Sequence, residues 1–238
     1  MSGHSKWATI KRQKAATDNK RGKLFSKLAK NIAVAVRVGG STDPNFNFKL
    51  RVAVDKAKQA AMPADNIDRA IKRGAGEGKE AIENVMYEGY GPAGSAFMVE
   101  AVTDNKNRTT QNMRLIFNRH GGRMGEQGSV GWMFESKGQI LLEKQAGLED
   151  LSLELIDQGA EDIKESEEGM EVYTLPVDLE KTKKWIEDKG LKILDAEVVL
   201  KSNQPANLSE EDQQKVQELV SALEDDDDVM NVHTNVNF

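Results

Sequence analysis

Nine Lys or Arg side chains stand between Met1 and Lys30 (Lys6, Lys11, Arg12, Lys14, Lys20, Arg21, Lys23, Lys27 and Lys30) against a single acid, Asp18, in a chain whose formal net charge is −6. A local excess opposed in sign to the whole marks a surface for a polyanion. Phosphate suits these groups, ammonium as a point charge and guanidinium as a planar fork. A second polar cluster, Asn105, Lys106, Asn107 and Arg108 with Thr109 and Thr110, lies where a helix is expected to begin. There it offers amides, hydroxyls, cations and free backbone N–H groups to a phosphate, or forms an ordinary cap with basic neighbours. Asp225-Asp226-Asp227-Asp228 hints at a divalent metal. Four consecutive carboxylates converge on one ion only in an unusual loop, so a solvated run is the simpler expectation.

Other catalytic chemistry has little to build on. The chain has no Cys, and His4, His120 and His233 fall in three separate segments, so neither a thiolate nor a metal-ligand spacing is present. The Gly74–Lys79 run follows a helix and lacks the Gly-Lys-Ser/Thr ending of a phosphate loop. No apolar run approaches the ~20 residues of a membrane span, and the lack of Cys fits a reducing compartment. A cytoplasmic protein with no cofactor and no small-molecule substrate is expected. The alternative from a different class is a metal-dependent enzyme acting on nucleic acid, centred on the Asp run.

The elements that must position the basic groups follow from periodicity. Leu24, Phe25, Leu28, Ile32 and Val36 recur at helical spacing, while Lys20, Lys23, Lys27, Lys30 and Arg37 cluster on another side of the same helix. Ordinary charged helix faces interleave both signs at i,i+4, and this one has almost no acid within reach along its own helix. It is therefore expected to be unpaired and open to phosphate. An anionic membrane is a weaker partner, because the apolar side carries one aromatic. A second helix (Leu50, Ala53, Val54, Ala57, Ala61) must end near Pro63, and a third (Ile67, Ala70, Ile71, then Lys72 and Arg73) ends at Gly74. Trp7 and Ile10 are too few to anchor the segment before these helices, so Trp7 either covers an apolar spot or stacks on a base.

Beyond them, Ala96–Thr103 reads as a strand, Met113, Ile116 and Phe117 as a helix, and Ser129–Phe134 as a second strand with Val130, Trp132 and Phe134 on one face. From Gln139 the order β-α-β-β-α-β is ferredoxin-like and complete in itself. The leftover helix (Val216, Leu219, Val220, Leu223) and strand (Val232, Thr234, Val236) need a sheet to join, and the middle unit lacks strands. The expectation is an α+β protein. A basic helical domain at 1–80 precedes two α/β-sandwich domains: a discontinuous one at 81–136 plus 204–238, and a ferredoxin-like one at 137–203 inserted into it. Residues 1–80 hold 18 basic and 7 acidic groups.

Gly3-His4-Ser5-Lys6-Trp7, the run Asp18–Leu28, Met62-Pro63-Ala64-Asp65-Asn66-Ile67, Tyr87-Glu88-Gly89-Tyr90-Gly91-Pro92, Thr103–Thr109 and Gly128-Ser129-Val130 are long ordered strings. In these the chain resembles the YebC/PmpR family, which includes bacterial proteins labelled transcriptional regulators and a mitochondrial translational activator of cytochrome c oxidase. The resemblance implies a three-domain body with a cleft between its lobes. The sequence departs from the family pattern at Phe48, Ala61 and Ala64, where Pro, Asn and Lys are expected. The function expected is a non-enzymatic nucleic-acid-binding regulator, either DNA-binding or ribosome-associated, with partners duplex DNA or ribosomal RNA. Its contacts are the Lys and Arg of the first domain, including Arg37, Lys72 and Arg73, and the Asn105–Arg108 turn. A nearly all-Lys face, with no Arg, Asn or Gln spaced to read base edges, favours the ribosome.

Overall fold

The computed structural model describes residues 18–76, 83–144, 151–166 and 169–236, and side chains from residue 21 onward within these. Lys6, Lys11, Arg12, Lys14 and the Lys20 side chain lie outside the described residues.

Three helices open the described chain: α1 (Asp18–Gly39), α2 (Phe48–Gln59) and α3 (Ala64–Gly74). The apolar stripe of α1 (Leu28, Ile32, Ala35, Val36) packs on Leu50, Val54 and Ala57 of α2 and on Ile67 and Ala70 of α3. Gly74 is needed for this closeness, since a Cβ there would stand 2.6 Å from the Ala33 carbonyl oxygen. Asn47 caps α2 by accepting from the Leu50 N–H, and its buried amide donates to the Ala35 and Ser41 carbonyls. Ala61 is held at φ 57° between α2 and α3. That left-handed conformation suits Asn or Gly better than Ala, which gives the Asn of the family pattern a physical reason. Ala61 is exposed, so Ala61→Gly is expected to raise stability by about 1 kcal/mol, read as a higher midpoint in urea unfolding.

The middle domain is a four-stranded antiparallel sheet, β1 (Glu83–Tyr90), β2 (Ala96–Thr103), β3 (Arg123–Met124) and β8 (Val229–Thr234), in the order β3-β1-β2-β8. One face carries Phe97, Val99 and Ala101 into a core with Met113 and Phe117 of α4 (Lys106–Arg119) and Val216, Leu219, Val220 and Leu223 of α7 (Glu210–Glu224). The Phe97 and Phe117 rings meet edge to face at 5.8 Å. On the other face Val102 packs against Ala33 of α1.

One sequence expectation fails here. Ser129–Phe134 is not a strand: Gly131–Met133 forms a 3-10 turn, and β4 begins only at Phe134. The second long strand of the sheet is instead β1, whose Glu-Asn-Val-Met-Tyr-Glu-Gly-Tyr sequence alternates poorly. Its partner is settled across the sheet, by full pairing from Glu83↔Thr103 to Tyr90↔Ala96.

The inserted domain follows: β4 (Phe134–Glu143), α5 (Ser152–Asp157), β5 (Ala160–Glu165), β6 (Gly169–Thr174), α6 (Leu179–Asp188) and β7 (Ile193–Ser202), with sheet order β5-β6-β4-β7. This is the ferredoxin-like arrangement. Phe134 pairs with Ser202, so the chain enters and leaves the insert side by side and continues through α7 and β8 into the middle sheet.

Candidate nucleic-acid interface

The basic row of α1 is partnered. Lys23, Lys27 and Lys30 recur on one side of the helix, and their ammonium groups donate to the backbone carbonyls of Asp225, Glu224 and Asp227. Those carbonyls lie at and just beyond the C-terminal end of α7, where orphan acceptors and the negative end of the helix dipole favour cations. The expectation of an unpaired face is therefore corrected: α1 itself supplies no acid beyond Asp18, but the fold brings main-chain acceptors and the Asp228 carboxylate from about 200 residues away. Burial lowers the Lys27 pKa against the raising influence of Glu224 and the Asp run.

Asp228 is the centre of this junction. It is 5% exposed. Its Oδ1 lies 2.6 Å from Lys30 Nζ. Its Oδ2 accepts from Thr109 Oγ1 at 2.7 Å, Arg108 Nη2 at 3.0 Å and Thr103 Oγ1 at 3.2 Å. Burial alone would raise the pKa, but the Lys30, Thr109 and Arg108 hydrogen bonds pull it down to about 2. The expectation of a wholly solvated Asp run fails at this residue. Asp225 and Asp227 are exposed, while Asp228 ties together α1, α4, β2 and β8. Among the described residues no three His, Asp or Glu side chains are grouped to hold a metal ion.

The Asn105–Arg108 turn divides. Asn105 is the N-cap of α4, its side chain accepting from the Arg108 N–H, and Arg108 bonds Asp104 and Asp228. Lys106 and Asn107 are exposed. Arg21 at the start of α1, Arg37 in its last turn, and Lys72 and Arg73 in the last turn of α3 are also exposed. The Asp228 junction gathers Lys23, Lys27, Lys30 and Arg108 of the expected residues. Lys56 of α2 reaches the inserted domain, with Nζ 2.6 Å from Glu197 and 3.1 Å from Asp195. Between α1 and the middle sheet lies a cleft of about 430 Å³ lined by Asn31, Val34, Met86 and Glu100. Its charged side chain is a carboxylate, which suits no phosphate.

A further set of cations was missed by sequence reading. Arg114, Arg119 and Arg123 are exposed on α4 and β3. The signal was there: from Asn105 to Gly125 the sequence has five Lys or Arg and no acid. The loop that follows is pinned by Glu88, whose carboxylate accepts from the N–H groups of Gly128 at 2.7 Å and of Val130 and Gly131 at 2.8 Å. Burial opposes ionisation of Glu88, and the three N–H groups outweigh it, leaving the pKa lowered. Three donors on one carboxylate fix the loop in place of the expected strand.

Residues 5–77 match the TACO1/YebC protein N-terminal domain, and residues 82–236 match the TACO1/YebC second and third domain. Over 239 residues the chain is 48% identical to a probable transcriptional regulatory protein of Thermoanaerobacter pseudethanolicus, covering 99% of this chain and 97% of that one. It is 49% identical over 241 residues to one of Bacillus licheniformis, covering 99% and 100%. The crystal structure of a conserved hypothetical protein from Aquifex aeolicus has the same fold, with TM-score 0.86 and 46% identity over 94% of this chain and 93% of that chain. The relatives' names describe regulators rather than enzymes. With both of its matched segments accounted for and a fold shared almost end to end, the chain belongs to the TACO1/YebC family.

Proposed function

We propose that this regulator acts by binding folded RNA, that of the ribosome in particular, through phosphate contacts of its helical domain. The observation that carries this reading is the double burial of α1. One side packs on α2 and α3. Another packs on the middle domain, through Ala33 against Val102 and through Lys23, Lys27 and Lys30 against the end of α7. A helix so enclosed is poorly placed to enter a major groove, the usual route to base-edge readout. Charge on a rigid, multi-lobed body instead suits RNA recognised by shape and backbone. The contacts we assign are Lys6, Lys11, Arg12, Lys14, Lys20, Arg21, Arg37, Lys72, Arg73, Lys106 and Asn107. Lys23, Lys27, Lys30 and Arg108 join them only if nucleic acid displaces the α7 end.

The names of the relatives favour a second reading, a transcriptional regulator on duplex DNA. Competition at fixed, near-physiological salt separates the two. Ribosomes and promoter-length duplexes of several sequences compete for the chain, and co-sedimentation with ribosomes is expected to resist excess duplex. A strong preference for one duplex sequence with no ribosome association would replace the RNA reading by the DNA one.

A further inference from the structure

The surface formed by the later turns of α4, by β3 and by the Glu88-pinned loop lies away from the α4 residues that hold Asp228, Arg108 and Thr109, and it gathers cations and aromatic rings. Arg114, Arg123, Tyr90, Glu126 and Ser129 line a cavity of about 460 Å³, within the range of small-ligand sites. The Arg123 guanidinium lies over the Tyr90 ring, 5.2 Å from its centroid. Arg114 and Arg119 stand exposed and make no ion pair with a described residue. The Tyr90 hydroxyl and the Trp132 indole N–H both donate to the Ser129 carbonyl, at 2.9 and 3.2 Å. That shared acceptor ties the indole to Tyr90, over whose ring Arg123 lies, while leaving Trp132 58% exposed. A half-exposed ring fixed in this way is available to stack on a flat partner.

We propose that this surface is a second nucleic-acid site, and that it takes a single strand. A base stacks on Trp132, and the adjoining phosphates sit against Arg114 and Arg123, with Arg119 farther along α4. Sequence-tolerant single-strand binding combines these two parts, an aromatic platform and a cationic track. A duplex keeps its base faces stacked on one another and offers Trp132 none. A protein partner is less suited: with Glu126 the one acid in the cavity wall the surface repels basic segments, and an acidic segment would leave the exposed indole without a stacking partner. The proposal takes from the reading above only that the ligand is nucleic acid. It adds which strand form binds, and where.

The test uses the full chain and two probes, a fluorescent oligouridylate and a fluorescent RNA duplex, read by anisotropy. Trp132→Ala is expected to weaken the oligouridylate by about 5- to 100-fold. Arg114→Glu with Arg123→Glu should weaken it comparably. Trp132→Phe, which keeps a stacking face, should stay near wild type, and hydrogen exchange at the Gly128, Val130 and Gly131 amides should be unchanged in all three. Duplex binding should respond instead to Lys11→Glu with Arg12→Glu and Lys14→Glu. Single-strand affinity untouched by both Trp132→Ala and the Arg pair overturns this site while leaving the helical-domain reading standing. Equal weakening of duplex and single strand overturns the strand assignment. Failure of the wild-type chain to bind either probe removes both proposals.

Discussion

An Asp228→Asn protein is expected to be less stable than wild type by about 2–3 kcal/mol at pH 7, and to lose the acid-sensitive part of its unfolding profile. The carboxylate is 5% exposed and serves Lys30, Arg108, Thr103 and Thr109 at once. Its pKa falls from 3.8 to about 2, which corresponds to about 2.5 kcal/mol of preference for the charged form in the folded state. Because the folded value lies below the unfolded one, this contribution is fully present above about pH 4 and is lost as pH falls through about 2. Asn keeps the shape but removes the charge, leaving Lys30 and Arg108 facing a neutral amide. Arg108 is half exposed, which is why the lower end of the range for a broken buried pair applies. Urea denaturation at pH 7 and at pH 3 checks it: the difference between the two proteins should shrink at the lower pH. An undiminished difference would mean that Asp228 acts by shape alone.

Truncation after Asn203 should unfold the middle domain and leave the inserted one folded. The deletion removes Val216, Leu219, Val220, Leu223, Val229 and Val236, half of the twelve fully buried residues of the middle core. At about 1.5–3 kcal/mol for each buried side chain, the loss of about 9–18 kcal/mol is as large as the ~5–15 kcal/mol that a domain has in total. It also strips β8 from β2, exposing a long edge. The core of the insert, Ile140, Leu142, Leu155, Met170, Val172, Leu179 and Ile186, draws on no residue beyond 203. Hydrogen exchange on the truncated chain decides: protection should vanish across Phe97–Val102 and persist in β4 and β6. Protection kept at Phe97–Val102 would mean that the division into these folding units is wrong.

Periodicity made the architecture legible. Pro63 and Gly74 bracketed α3, and a helix and strand with no partner of their own pointed back to the middle sheet. Local pattern misled where a tertiary contact overrode it. Val130, Trp132 and Phe134 alternate like a strand, but Glu88 gathers three backbone N–H groups there and bends the chain into a loop. The state of the Lys row was hidden for a related reason. Its composition is visible along α1, but its partners are backbone carbonyls near residue 225, and a main-chain acceptor leaves no mark in a sequence. Arg114, Arg119 and Arg123 were visible in principle, as an acid-free stretch, yet each taken alone reads as an ordinary surface residue.

The docking of Lys23, Lys27 and Lys30 against the end of α7 makes that end a resident counterion. Binding of a polyelectrolyte gains much of its free energy when mobile ions leave the nucleic acid, and salt opposes it by about 0.9 in the slope of log K against log salt for each phosphate neutralised on a duplex. A lysine that stays with Asp225, Asp227 or Asp228 neutralises no phosphate and releases nothing. The measured slope therefore counts only those cations that the fold has left undressed. If the three lysines stay docked, the slope falls short of the full basic count by about 2.7. Asp228→Asn would then raise the slope as well as the affinity, turning a stabilising contact into a gauge of how much charge the protein withholds from its ligand.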